Sequence, residues 1–586
     1  MAASITETET KYDAAADVIL PRLDGLPGVV RSAEPEEQQL RAEYFDTEDM
    51  RLIRAGITLR RRTGGSDAGW HLKLPVGPHS RTEIRLPLGH ATREVPAELA
   101  ELVRARTRNM SLLPVATLTT RRQVTTLLDK AGKSLAEVAD DEVTGNRHGD
   151  PASITRWREV EVELTAADQG LLLAADRVLR EAGMQPAARA AKLERVLGSA
   201  VPRQEPEPEV TASALACQVV VAYLRKHADA LVRLDPMVRR DEPDAVHQMR
   251  IATRRLRSTL RTFGQVLHDQ DTERLAIELK WLGGVLGEAR DSEVQADRME
   301  EHVRQTGPEL LIGPVQARVA GHFGKVGALA RARVRSALNS ERYFSLLDML
   351  DTAVAHPPLG PDAQARATFV LPVAIGRSYR RTRRRMRQAE RIPSGEAKDA
   401  ALHQARKAAK QSRYAAEAAE PAFGSTAARF AKQMKSVQSV LGDHQDTVVG
   451  RELARQLGVA ANLADESSFS YGLFYAREVC DPCAAYADGY EIAGTGRRVA
   501  DFVWPAWFQS GAPRREATRY DERRLIDEPF QLRQGGYIGV FDPTISAWTI
   551  MGPDGPLDEA RDLGSRTERR TTADNRLMFS CMGTAP

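Results

Sequence analysis

The chain has 586 residues, 42% of them hydrophobic and 28% charged, which fits a soluble globular protein too long for one hydrophobic core; length alone implies about three or four domains. A formal net charge of only +3 means that any affinity for polyanions must come from where the charges sit, not from their sum. Four cysteines exclude a disulfide scaffold, and the single Cys480-Asp-Pro-Cys483 pair lacks the second pair or the histidines that a zinc site needs. No apolar run approaches the roughly 20 residues of a membrane helix, and Met1 to Lys11 is polar and acidic rather than a signal segment. The expected location is cytoplasmic, with no membrane partner.

In chain order, residues 1–200 read as mixed, with short segments that alternate apolar and charged residues at the strand period. They include Ile5 to Glu9, Gly56 to Arg61, Trp70 to Leu74 and Trp157 to Leu164, with helical pieces at Ala97 to Arg106 and Ala166 to Ala182. Residues 201–210 are rich in Pro and Glu and read as a stiff linker. Residues 211–483 turn helical, with apolar positions at three- and four-residue spacings. A repeat is visible there. Gly287 stands 40 residues after His247, in Leu286-Gly287-Glu-Ala-Arg-Asp291, and Gly442 stands 39 after His403, in Leu441-Gly442-Asp-His-Gln-Asp446. Arg274 and Lys280 precede Leu286 by twelve and six residues, and Arg429 and Lys435 precede Leu441 by the same distances. Residues 484–586 lose any consistent period and are expected to be irregular or disordered. The abrupt loss of pattern near Cys480 is what an altered reading frame would leave.

Strand alternation places Glu7, Glu9 and Lys11 on one face, and does the same for Arg60 with Arg62, His71 with Lys73, Arg81 with Glu83 and Arg85, and Glu159 with Glu161 and Glu163. One such row reads best as the solvated side of an amphipathic sheet. Five rows, two acidic and three with basic residues, coexist if a barrel encloses them, because like charges along a single open face repel. Clustered carboxylates bind Mg²⁺ or Mn²⁺, and Arg and Lys grip phosphate oxygens, a layout for metal-assisted phosphoryl transfer to water.

Glu7-x-Glu9-x-Lys11 resembles the ExExK signature of the CYTH superfamily, the triphosphate tunnel metalloenzymes. Tyr44 to Thr47, Leu59 to Arg62, Trp70 to Lys73, Arg81 to Glu83, the Glu159 to Glu163 row and Lys192 are similar to its later motifs, in order. The resemblance implies an eight-stranded antiparallel β-tunnel that acts on triphosphates. It implies metal ligation by Glu7, Glu9, Glu159, Glu161 and Glu163. A catalytic set of Glu7, Glu9, Lys11, Glu161 and Glu163 is implied, together with a phosphate path along Lys11, Arg60, Arg62, Lys73, Arg81, Arg122 and Lys192. Arg121 stands one residue from Arg122, and strand register decides between them. Asp140 is expected to assist the metal site, and Tyr44 and Asp46 to be structural.

Farther on, His247, Arg250, Arg254, Arg257 and Arg261 follow spacings of 3, 4, 3 and 4 on one helix face, and His403, Arg406, Lys410 and Arg413 repeat the first three, 3, 4 and 3. Like charges stacked on one face destabilise a helix by a few tenths of a kcal/mol per pair, and a bound polyanion reverses the sign. Arg377 to Arg387 adds seven arginines in eleven residues, part of which must be solvated because they occupy every side of the helix. This half resembles the CHAD domain, the conserved-histidine α-helical domain. That resemblance implies an all-α, pseudo-symmetric pair of helical bundles that binds inorganic polyphosphate in a basic groove. It points to His247, Arg250, Arg254, Arg257, Arg261, Lys280, His403, Arg406, Lys410, Arg413 and Lys435 as contacts. The second copy departs from the first at Lys407, Ala408 and Gln445. Each histidine serves either a phosphate contact or a structural hydrogen bond, and Asp291 and Asp446 are expected to orient basic residues.

The chain therefore reads as a multidomain α+β protein that hydrolyses inorganic triphosphate, or a related triphosphate, with Mg²⁺ or Mn²⁺ in its tunnel and holds polyphosphate on its helices. The alternative is a non-catalytic polyphosphate-binding or targeting protein. Nucleic acid is not the expected partner, since the arginine-rich helices offer no aromatic stacking platform.

Overall fold

The computed structural model describes residues 3–77, 80–89, 94–149, 153–187, 191–201, 210–393 and 395–480, with short strand segments between 530 and 578. The side chains of Glu7 and Cys480, the 202–209 stretch of the linker and Cys483 lie outside the described residues. So does most of the tail; its described parts are six short strands, from Phe530–Gln534 to Leu577–Met578. The chain divides into two compact units, residues 1–209 with 232–245 and residues 210–231 with 246–586.

The first unit is a closed antiparallel barrel of eight strands: β1 (Ala3–Ala14), β2 (Glu36–Asp46), β3 (Thr58–Thr63), β4 (Gly69–Pro75), β5 (Ser80–Leu86), β6 (Leu113–Leu128), β7 (Ser134–Arg147) and β8 (Ser153–Leu164). They pair in the order β1-β5-β4-β3-β2-β6-β7-β8, and β8 pairs back to β1, so the barrel leaves no free edge. Alternation along each strand divides the side chains between two destinations. On the outside, Trp70, Leu72, Ile84 and Leu59 pack with Leu99 and Val103 of α1 (Ala97–Thr107). Also outside, Tyr12, Val160 and Val162 pack with Leu171, Leu172, Ala175 and Leu179 of α2 (Gln169–Glu181). The opposite faces, with the charged rows, point inward.

A short helix, α3 (Lys192–Leu197), packs against the inner face of the barrel. Its Leu193, Val196 and Leu197 pack on Ala42, Tyr44, Ala116, Leu118 and Val143, which by register share the inner face with Arg60 and Asp141. Gly145 allows this approach: a Cβ there would lie 2.2 Å from Val196 Cγ2.

Residues 210–480 are helical: α4 (Ala216–Arg239, whose residues from Val232 on belong to the first unit), α5 (Ala245–Thr262), α6 (Gln270–Arg304), α7 (Val315–Leu338), α8 (Glu341–Ala355), α9 (Ala367–Glu390), α10 (Glu396–Phe423), α11 (Ser425–Asn462) and α12 (Phe469–Cys480). The expected duplication is present as α5 followed by the 35-residue α6, and α10 followed by the 38-residue α11. Asp269 caps α6 through Thr272 in a reciprocal capping box. The alanine-rich side of α10 (Ala405, Ala408, Ala409, Ala415, Ala416, Ala419) is buried. Its Ser412 hydroxyl shares hydrogen bonds with Ser378 and Thr382 of α9 at 3.1 and 2.9 Å.

Candidate functional site

Register determines what meets inside the tunnel. Asp141 stands opposite both Arg122 and Glu159, Lys11 opposite Glu161, and Glu9 opposite Glu163. Among the described residues, Asp141, Glu159 and Glu161 form a buried group whose ligand oxygens all lie within 4.8 Å of one another. Lys192, the first residue of α3, places Nζ at 2.9 Å from Asp141, 2.5 Å from Glu159 and 2.6 Å from Glu161. Arg122 grips Asp141 with a fork of 2.7 and 2.6 Å and donates to Glu161 at 2.9 Å. Lys11 pairs with Glu161 and, at 3.2 Å, with Glu9.

Burial alone would lift these carboxyls. Lys11, Lys192 and Arg122 outweigh it at Glu161, which is held well below the usual range, and Asp141 and Glu9 are lowered by the same kind of neighbour. In return, despite burial, Lys11, Lys192 and Arg122 are pushed up by the carboxylates they face.

A second stretch of the inner face is mostly basic. The fully buried Glu83 is bonded by His71 Nδ1 at 2.9 Å, paired with Arg85, and approached by Lys73 at 3.7 Å and Arg60 at 3.8 Å. Arg60 also donates to the Tyr44 hydroxyl at 3.3 Å. Burial first, then Arg60 and Arg62, push His71 down to about 4 despite the Glu83 hydrogen bond, so the ring is neutral at neutral pH. Arg62 pairs with Asp67, and Arg81 is half-buried and stands opposite Glu7 in register.

The tunnel thus brings together Glu9, Lys11, Arg122, Glu159, Glu161 and Lys192 as expected, with Glu163 half-buried on the same face. It also corrects one residue. Asp140 points outward and pairs with Arg158 at 2.7 Å, and Asp141 supplies the inner carboxylate. The reason is strand parity: Asp140 stands opposite Val160, whose face packs on α2. The same parity selects Arg122 over Arg121, which pairs outside with Glu37 at 3.2 Å. Glu83 went unassigned in the sequence, although it shares the parity of Arg81 and Arg85. Asp46 is structural: its carboxylate accepts from the backbone N–H groups of Thr47, Leu52 and Ile53.

On the helices, the two copies meet. Burial first, then Arg254, Arg406 and Arg250, push the Lys410 ammonium down to about 6, which places basic residues of α5 and α10 in one electrostatic cluster. Burial and the nearby Arg250 and Arg413 likewise lower Arg254. The carboxylates that enter the cluster come from the repeated Leu-Gly-x-x-x-Asp motif: Arg250 pairs with Asp291 at 3.2 Å and Arg406 with Asp446 at 3.7 Å. The motif's glycines make room for the same arginines. A Cβ at Gly287 would lie 3.5 Å from the Arg250 guanidinium, and one at Gly442 only 2.9 Å from Arg406 Nη2.

The Nε atoms of Arg250, Arg257 and Arg406 are buried and have no hydrogen-bond partner among the described residues. Buried N–H donors in that state are rare. Arg413 lies 4.8 Å from the centre of the Tyr414 ring and pairs with Glu417 at 3.2 Å. His247 and His403 are half-buried on the same helix faces, and Gln445 hydrogen-bonds His403. Arg261, Lys280 and Lys435 are solvent-exposed, and burial first, then Arg261, lowers Arg257. Six of the seven α9 arginines are exposed; Arg385, the other, bonds Gln388 at 3.0 Å. No helix among the described residues is long and apolar enough to cross a membrane.

A closed tunnel with carboxylates and cations on its inner wall, followed by a duplicated basic helical unit, defines the class: a CYTH domain model matches residues 6–193 and a CHAD domain model matches residues 222–455. The chain belongs to the family of proteins that join these two domains in this order. Rv2226 of Mycobacterium tuberculosis strain H37Rv, described as an uncharacterized protein, is 39% identical over 490 residues, covering 80% of this chain and 92% of that one. PptA from Streptomyces chartreusis is similar at 20% identity and a TM-score of 0.40, covering 47% of this chain and 98% of its own. The CHAD domain from the plant Ricinus communis is similar at 25% identity and a TM-score of 0.38, covering 49% and 94%.

Proposed function

We propose that the tunnel hydrolyses inorganic triphosphate or a related triphosphate with Mg²⁺ or Mn²⁺, and that the helical unit holds inorganic polyphosphate. The observation that carries the first half is the Asp141–Glu159–Glu161 cluster, three carboxylates with convergent oxygens on a wall that also bears Lys11, Arg60, Lys73, Arg122 and Lys192. The donor set fits the ion: hard oxygen ligands suit Mg²⁺ and Mn²⁺. Such an ion would supply positive charge against the phosphate oxygens and lower the pKa of a water.

The chain's own residues do the rest. Lys11, Arg122 and Lys192 compensate the carboxylates and orient a phosphate chain beside them. Arg60, Lys73 and Arg62 extend the cationic wall for the remaining phosphates. The barrel and α3 limit access of bulk water, which strengthens each of these charge contacts. The purified chain with tripolyphosphate and either metal should release phosphate, and Glu161→Ala should reduce release to background. No release above blank across a metal screen would refute hydrolysis.

For the helical unit the carrying observation is the pair of buried, unpartnered Nε–H groups on Arg250 and Arg406 beside Arg254 and Lys410. A second reading, a non-catalytic polyphosphate-binding protein, is favoured by one fact: each carboxylate of the tunnel cluster is already matched by Lys192, and two of them by Arg122. The phosphate-release screen separates the two.

A further inference from the structure

We infer that Lys192 is a built-in competitor for the metal: its ammonium holds the Asp141, Glu159 and Glu161 carboxylates when no divalent ion is bound, and leaves them when one enters. The inference rests on the metal-site reading proposed above. Nζ lies 2.5–2.9 Å from one oxygen of each carboxylate, and the side chain is 9% exposed. A small divalent ion needs such oxygens at roughly 2.0–2.1 Å, so the ammonium and the ion claim one space and one set of lone pairs. The other cations are placed differently. Arg122 forks onto Asp141 and reaches Glu161 only, and Lys11 touches Glu161 and Glu9. Lys192 alone touches all three among the described residues.

Its backbone is anchored, because the next residues of α3, Leu193, Val196 and Leu197, are buried against the inner wall. Exchange therefore requires only rotation of a flexible four-carbon stem. The displaced ammonium becomes a free cation in the tunnel, placed to meet a phosphate. Metal and phosphate chain then favour each other's binding through this one side chain, which in their absence keeps buried carboxylates from standing uncompensated.

The test is Mn²⁺ binding, read by electron paramagnetic resonance and by thermal melting, for the full chain and for Lys192→Gln and Lys192→Met. Removing the competitor should tighten Mn²⁺ binding at least about tenfold. It should lower the melting temperature without metal and enlarge the rise on adding Mn²⁺. It should also reduce the extent to which imidotriphosphate tightens Mn²⁺ binding. Variants that fold only with Mn²⁺ present give the same answer. Equal or weaker Mn²⁺ binding by the variants, or failure to fold even in millimolar Mn²⁺, overturns the inference and leaves the metal reading standing. Absence of Mn²⁺ binding by the unmodified chain overturns both.

Discussion

Gly442→Ala should stabilise the helical unit while weakening the polyphosphate binding proposed for it. Gly442 is buried in the middle of α11, where alanine is favoured over glycine by about 1 kcal/mol from helix propensity. The new Cβ would stand 2.9 Å from Arg406 Nη2, too close for contact, so something shifts. What shifts is the far end of a flexible side chain held by a 3.7 Å ion pair to Asp446, so the fold loses little. The guanidinium, however, leaves the position from which its buried N–H groups face a ligand. A hydrogen bond to a charged group is worth about 1.5–3 kcal/mol, and losing half of one weakens binding on the order of tenfold. Gly287→Ala is the matched control, because its Cβ would make an ordinary 3.5 Å contact with Arg250. Melting temperature and affinity for a defined polyphosphate at fixed salt should rise and fall, respectively, for Gly442→Ala. For Gly287→Ala the melting temperature should rise with affinity unchanged. A lower melting temperature for Gly442→Ala, or equal affinities for the two variants, would refute the reasoning.

Polyphosphate binding should take up protons. Lys410, pushed down to about 6 by burial and three arginines, is neutral in the free protein above that pH, and an anion restores its charge below its ordinary value of 10.5. Between those limits affinity should rise as pH falls, by up to about tenfold per unit, and level off below 6. Calorimetry in buffers of different ionisation enthalpy should register uptake approaching one proton near pH 8, and Lys410→Arg should remove it while keeping binding. In the tunnel, Asp141→Asn should abolish phosphate release and weaken Mn²⁺ binding. Asp140→Asn should retain both and cost about 1 kcal/mol or less of stability through the lost Arg158 pair, as chemical denaturation would report.

Much of this organisation was legible in the sequence because periodicity is local. The alternation in Trp157 to Leu164 sorts Val160 and Val162 from Glu159 and Glu161 without knowledge of their neighbours, and the barrel buries the two sets on opposite faces. The 3, 4, 3 spacing after His247 and again after His403 likewise marks two helix faces and a duplication. The limit came at adjacent residues of the same type, where the sequence pointed to Asp140 and the inner carboxylate is Asp141. Asp140 and Asp141 are both acidic, and only their cross-strand partners, Val160 for one and Arg122 with Glu159 for the other, tell inside from outside.

Residue type and spacing along the chain therefore determined which residues share a face, where strands give way to helices, and that the helical half is built twice. Tertiary structure alone decided which faces meet. It put Lys192, more than 25 residues beyond the last barrel strand, among three carboxylates of β7 and β8. It seated Arg250 and Arg406 on the glycines of helices that follow them, and left Lys280 and Lys435 in solvent although they obey the same repeat. The physical reason is that side-chain direction follows from backbone period, which any short segment carries. Convergence depends on strand register, barrel closure and helix docking, and these are set by contacts between residues tens to hundreds of positions apart.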